Sequence, residues 1–351
     1  MGKEYIINGR VDLKKLWLSD DYKWLRESYS DRLCFITVSG SWGYGTNVET
    51  SDIDIRGVML PTKEELIGLK NFEQRLDEET DTCIYEFNKF VRLILNSNPN
   101  TIEMLGCNNY LIFNEVGQQL IDKAKLFLSK KCLHSFGGYA QAQLRRIECA
   151  SYKDGAYSEE EKAKHMKATM DVAINKLSET NEIFKEDCVK VNIQEDKVTL
   201  DVHLNNKPLP LVRATLNDLL TIERTYNKIG QRNNKKDEAH LNKHTMHLIR
   251  LYLTCFDILE KGELHTYREN DRKYLLEVRN GKYLVDGKLT DEFYAKLREL
   301  EERLDRAKEL DVVPNKPNYD EIEKFVVEVN TKVITNTVSK YKEPLEEVII
   351  N

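Results

Sequence analysis

The chain has 351 residues, 32% of them charged and 40% hydrophobic, with a formal net charge of −6 and a sequence isoelectric point near 5.8. This is the composition of a soluble globular protein too long for one comfortable core; it excludes a global basic field, so nucleic acid would have to meet a local basic patch. Seven scattered cysteines (Cys34, Cys83, Cys107, Cys132, Cys149, Cys188, Cys255), none in a CxxC pair, argue against a zinc site or disulfide framework and fit reduced thiols of a cytoplasmic protein.

The opening Met1-Gly-Lys-Glu-Tyr-Ile6 is not a secretory signal, and Ile6 stands where myristoylation wants Ser or Thr. No apolar run is long enough to span a membrane. Leu13, Leu16, Leu18, Tyr22 and Leu25 have helical spacing, so a helix is expected over 11–29. The apolar run Cys34 to Val38 reads as a buried strand. A Gly-rich turn follows, with Gly40, Ser41, Gly43, Gly45 and Thr46, and then the alternating segment Asp52-Ile53-Asp54-Ile55. Arg56 to Pro61 continues that strand and ends at proline. Thr62 with Glu65 three residues on reads as a capping box. Asn71 to Glu79 is polar and acidic and reads as a loop. Asp81 to Glu86 is the next strand, Phe87 to Leu95 a helix, and Asn96 to Asn100 its breaker.

From about residue 115 the pattern is mainly helical, over 117–129, 135–150 and 159–185, with 151–155 linking two of these segments. Around Glu195-Asp196, alternating Val189, Val191, Ile193 and Val198, Leu200, Val202 predict a β-hairpin. Helices are expected over 216–230, 239–261 (ending at Gly262), 291–310 and 319–341. The fold class expected is mixed α+β: a small mixed-sheet domain over 1–115, then a mainly helical domain over 116–351 with a hairpin near 188–204.

Residues two apart in a strand share a face, so Asp52 and Asp54 point together while Ile53 and Ile55 point to the core. Two adjacent carboxylates are unfavourable unless a cation lies between them. Oxygen ligands suit magnesium, which is usually shared with substrate phosphates. The bare backbone N–H groups of the Gly-rich turn suit a triphosphate.

Gly40-Ser41 followed by Asp52-x-Asp54 after an apolar strand resembles the motif of the DNA polymerase beta–like nucleotidyltransferase superfamily. Further stretches are similar to a bacterial and phage branch, some members of which are encoded beside RNA ligases. These are Asp81 to Phe90, Asn98 to Leu105, Lys243 to Arg250, Glu260 to Leu264 and Arg279 to Tyr283. The resemblance implies a catalytic domain with a helical C-terminal domain, and transfer of a nucleoside monophosphate from a triphosphate to an acceptor hydroxyl. It implies two magnesium ions, with manganese as a possible substitute, bound by Asp52, Asp54 and a third acid on the strand after the polar loop. Asp81 fits that position best; Glu86 is the alternative. The acceptor expected is an RNA end. Transfer to a protein hydroxyl, or a nucleotide-binding module without catalysis, are the rival readings, and no membrane partner is expected.

Gly40, Ser41 and Thr46 are the expected triphosphate contacts. Trp42 and Tyr44 are suited either to stacking on a base or to packing on the first helix. On the 239–261 helix, Lys243, His247 and Arg250 share a face, with His244 beside them. Without an HExxH pattern or a carboxylate partner, this stripe, with His240, reads as a phosphate-facing or base-facing surface across an interdomain cleft, or as an exposed polar stripe. Arg145-Arg146 and the run Arg232 to Lys236 read as solvated faces.

Overall fold

A computed structural model describes residues 3–7, 9–151, 159–178, 181–194, 197–227, 238–285 and 287–348. The fold is mixed α+β. Its centre is a six-stranded mixed sheet: β1 (Leu33–Ser39), β2 (Asp54–Met59), β3 (Gln74–Asp77), β4 (Thr82–Glu86), β5 (Asn109–Asn114) and, from the C-terminal region, a further strand Lys340–Val348. Two antiparallel strands, β6 (Val189–Gln194) and β7 (Lys197–Val202), form the expected hairpin, so the C-terminal strand is β8. The order across the sheet is β8-β5-β1-β2-β4-β3, antiparallel at every step except β2–β4.

Alternation along the strands sets the two faces. Ile36 and Val38 of β1, Ile55 of β2, Ile84 of β4 and Leu111 of β5 are buried on one side. There they cluster with Leu13, Leu16 and Trp17 of α1 (Leu13–Leu18) and Leu25 of α2 (Lys23–Tyr29). Each such side chain, fully buried, contributes about 1.5–3 kcal/mol. The other face carries Phe35 and Tyr110, whose rings meet edge to face and, at Phe35, meet Phe90 of a later helix. Next to this aromatic patch the same face becomes polar, and that polar end is where the candidate site forms.

The further α-helices are α3 (Gly40–Gly43), α4 (Lys63–Ile67), α5 (Phe87–Leu95), α6 (Pro99–Ile102), α7 (Glu115–Asp122), α8 (Cys132–Ser151), α9 (Glu159–Ser178), α10 (Leu209–Asn227), α11 (Glu238–Phe256), α12 (Arg272–Arg279), α13 (Asp291–Ala307) and α14 (Tyr319–Thr335), with one more helical turn, Glu182–Lys185, between α9 and β6. The Thr62–Glu65 capping box is formed in both directions. After Phe256 the last turn of α11 widens over Asp257–Lys261 and stops at Gly262, which takes φ +66°.

Several expected bounds differ for local reasons. The single helix expected over 11–29 is broken at Ser19, whose hydroxyl bonds back to the Leu16 carbonyl at 2.6 Å. The polar stretch 71–79 contains β3; as an exposed edge strand it has no apolar alternation to announce it. β5 reads as a plain apolar run because it is buried on both faces. The last helix ends at Thr335, with Asn336 at φ +54°, and the chain returns as edge strand β8, where Pro344 costs no ladder bond to a neighbour strand.

Contacts divide the chain into two units. One comprises Met1–Leu144, Asn242–Tyr283 and Thr290–Asn351; the other comprises Arg145–Leu241 and Leu284–Leu289. This division differs from the expected boundary at 115: the sheet recruits its β8 edge and its covering helices from late in the sequence. The smaller unit has its own core, in which Met170 and Ile174 of α9 and Leu219 of α10 pack with Ile183, Phe184, Val189 and Val191. The expected solvated run Arg232 to Lys236, the hairpin turn Glu195-Asp196 and most of the 151–155 link lie outside the described residues, as do the side chains of Arg145 and Arg146. No helix among the described residues is long and apolar enough to cross a membrane.

Candidate active site

Strand register builds the site from two sides. In the antiparallel pair β1–β2, Ser39 lies opposite Asp54, so the next residue, Gly40, begins the turn beside it. In the parallel pair β2–β4, Ile55 lies opposite Thr82, and Asp81 immediately precedes that strand. Gly40, Asp54 and Asp81 therefore converge. The next row on the same face is Thr37, Arg56, Cys83 and Leu76, and the third is Phe35, Val58, Tyr85 and Gln74.

Asp54 and Asp81 lie within hydrogen-bonding reach of each other. Arg56 bridges them. It donates to the Asp81 carbonyl at 2.7 Å and approaches Asp81 Oδ1 at 3.3 Å and Asp54 Oδ1 at 3.8 Å. Burial, then the hydrogen bond and charge of Asp81, push the Asp54 carboxyl up to about 7, against the opposing charges of Arg56 and Lys243. The more exposed Asp81 is held below its ordinary value, chiefly by its bond to Asp54 and then by Arg56. Of the two acids, Asp54 is therefore the one that keeps a proton to higher pH. This is the arrangement that a divalent cation relieves, and the oxygen-only donors fit magnesium.

Asp52 does not join this pair. Strand pairing begins at Asp54, and Asp52 is exposed and off the cavity wall, while Ile53 is buried as the alternation requires. Among the described residues no group of three His, Cys, Asp or Glu side chains is gathered so as to hold a metal ion. Glu86, the alternative third acid, is buried and caps α5, accepting from the backbone N–H of Asn88 and of Lys89, each at 2.8 Å.

Asp54 opens into a cavity of about 440 Å³ within the larger unit, and the more exposed Asp81 stands beside it, off the cavity wall. Gly40 and Ser41 line one end with Lys243, His247 and Arg250 from α11. The α11 stripe therefore meets the Gly-rich turn inside one unit, not across an interdomain cleft. Lys243 is exposed, and its charge stabilises the ionised forms of Asp54 and Asp81. His247 is kept neutral by burial and by the charges of Arg250 and Lys243, and its ring meets Tyr44 edge to face at 5.8 Å. His244 turns aside to bond Gln143 of α8 at 2.7 Å.

Arg250 departs from the expected phosphate contact. It is 4% exposed, ion-paired to the buried Glu103, and its guanidinium lies 3.6 Å from the Tyr44 ring centroid. Its charge is already matched, so it braces the wall through Tyr44. Thr46 also departs: it is fully buried and off the cavity wall, and its carbonyl accepts from Arg279 of α12, which also reaches the Ser51 hydroxyl at 3.4 Å. Trp42 packs on the core cluster and donates to the Ser51 carbonyl at 3.3 Å.

Arg56, Glu103 and Arg279 are the residues that sequence reasoning passed over. Arg56 had a signal, since it stands two residues after Asp54 on the same face. Glu103 and Arg279 lay in stretches noted only for their resemblance, with no partner legible from spacing.

Residues 19–177 match the family described as RNA repair pathway DNA polymerase beta family, RlaP. The match covers the Gly40 turn, both acids of the pair and Glu86, and agrees with the nucleotidyltransferase superfamily resemblance. The uncharacterized protein YcgL of Bacillus subtilis (strain 168) is 29% identical over 90 residues, 24% of this chain and 35% of that protein. The uncharacterized protein MJ0002 of Methanocaldococcus jannaschii is 28% identical over 127 residues, 34% of this chain and 52% of that protein. The chain thus spans about a third and about half of the lengths of these relatives. No solved structure matches the chain.

Proposed function

We propose that this chain is a magnesium-dependent nucleotidyltransferase that moves a nucleoside monophosphate from a nucleoside triphosphate to the hydroxyl of an RNA end. The observation that carries the proposal is the convergence of Asp54 and Asp81 beside the Gly40-Ser41 turn, with Asp54 lining a cavity that Lys243 also walls. The family description supports the choice of RNA.

Asp54 and Asp81 would hold the magnesium. When bound, the ion would neutralise phosphate charge and lower the pKa of the attacking hydroxyl. The acceptor oxygen forms a bond to the α-phosphorus, the bond to the bridging oxygen breaks, and pyrophosphate leaves. Asp81, the ionised and more exposed acid, accepts the proton of the attacking hydroxyl. Ser41 and the backbone of the turn hold the triphosphate oxygens, and Lys243 adds a positive charge opposite them. Neutral His247 offers a hydrogen bond without adding charge.

Incubation with each α-labelled ribonucleoside triphosphate, magnesium, and either total RNA or cell-extract protein tests the reading. Label in RNA is expected. Label confined to protein would move the acceptor to a side-chain hydroxyl, and no label in either fraction would contradict transfer.

A further inference from the structure

The cavity has a second end that phosphate chemistry does not use. Beyond the acids, the third row of the sheet face places Tyr85 of β4 beside Gln74 of β3. Tyr85 follows Asp81 by four residues, about 13 Å along a strand. Tyr139 of α8 lies close enough to Tyr85 for their hydroxyls to interact electrostatically, and it accepts from Asn98 at 3.3 Å, just before Pro99 and Asn100 on the same wall. Tyr85 is backed by Phe90, with ring centroids 6.4 Å apart.

Tyr85, Tyr139, Asn100, Gln74 and Leu76 all line the cavity, and none carries a charge. The two tyrosines are half-buried and Asn100 is exposed, so their rings and amide remain accessible. The nearest cation is Arg56, one row closer to the acids and already engaged by Asp54 and Asp81, so phosphate would find no unmatched charge on these residues. A flat heteroaromatic ring would find aromatic faces to stack on and amide groups for its edge. The distance from the acids is one that a single nucleotide bridges from phosphate to base.

We propose that this neutral end, between Tyr85 and Tyr139, is a nucleobase subsite. The proposal rests on reading the acid end as the site of nucleotidyl transfer. The base belongs either to the incoming triphosphate or to the terminal nucleotide of the acceptor, and binding measurements separate these sources.

The test is equilibrium binding with magnesium to three kinds of probe: the common ribonucleoside triphosphates, inorganic tripolyphosphate, and a short single-stranded oligoribonucleotide with a free 3′-hydroxyl. Tyr139→Ala and Tyr85→Ala are expected to weaken a base-bearing probe roughly tenfold, the scale of one lost base–aromatic stack, with tripolyphosphate binding unchanged. Tyr85→Phe, which keeps the ring, should bind as wild type and guards against misfolding at this half-buried position. Selective loss of the triphosphates assigns the base to the donor, and selective loss of the oligonucleotide assigns it to the acceptor. Wild-type affinity for every base-bearing probe in both alanine variants would overturn the subsite, as would a proportionate loss of tripolyphosphate binding. If base-bearing probes depend on Tyr139 but no label is ever transferred, the reaction reading falls and the subsite stands. Full transfer with undiminished binding in both variants gives the reverse.

Discussion

A side chain at Gly40 would collide with the Asp54 carboxylate, and Gly40 also has φ +59°. The glycine that opens the turn is thus what lets the buried acid sit against that turn. Gly40→Ala should move Asp54 as well as strain the backbone, which costs about 1–2 kcal/mol by itself. The expected result is a transfer rate at least a hundredfold lower with a melting temperature lower by only a few degrees. Unchanged transfer would show that Asp54 does not need its position against the turn.

Glu86 should behave as a helix cap. Glu86→Ala removes the acceptor for two backbone N–H groups of α5 and is expected to cost about 1–2 kcal/mol of stability. Urea denaturation should read that loss, while transfer per folded molecule stays near wild type. A large fall in transfer at unchanged stability would make Glu86 part of the chemistry.

The Glu103–Arg250 pair predicts a coupled stability effect. Both residues are almost fully buried, at 3% and 4% exposure, so removing one strands the other's charge. Glu103→Gln or Arg250→Met alone is expected to destabilise by about 3–5 kcal/mol, and the double variant by less than the sum. Additive losses in a double-mutant cycle would show the pair to be uncoupled.

The Asp54–Asp81 pair predicts a pH dependence in the absence of divalent cations. Asp54 is raised from 3.8 to about 7, so the folded protein keeps a proton that the unfolded chain has released. Its stabilising contribution is present below about pH 4 and is lost as pH rises toward 7, by on the order of 1–3 kcal/mol. Lowered Asp81 acts in the opposite sense but only below about pH 4, where its contribution is lost as pH falls, so it leaves the slope between pH 4 and 7 to Asp54. Asp54→Asn should abolish the loss between pH 4 and 7, as read by denaturation across that range in chelator. A slope that persists in Asp54→Asn would place the titration elsewhere.

The sheet half of the fold was legible because it rests on local rules. β1, the turn, β4, α5 and the Thr62 capping box each declare themselves by alternation, helical spacing or a cap. Asp54 and Asp81 were legible as acids at strand ends. Which acids meet was not, because that depends on register: pairing starts at Asp54, so Asp52 two residues earlier falls outside. The strands β5 and β8, far apart in sequence, gave no local sign that they pair. Arg250 read as a free cation because its partner Glu103 lies 147 residues away, a relation that spacing cannot carry. The contact units depart from the expected 1–115 boundary for the same reason, since residues after 242 complete the larger unit.

The central claim, that Asp54 and Asp81 form the catalytic acid pair, is tested most directly by label transfer from an α-labelled ribonucleoside triphosphate with saturating magnesium. Asp54→Asn and Asp81→Asn are each expected to lower the rate on the order of a thousandfold or more, with melting temperatures within a few degrees of wild type. Near-wild-type transfer by either folded variant would contradict the account.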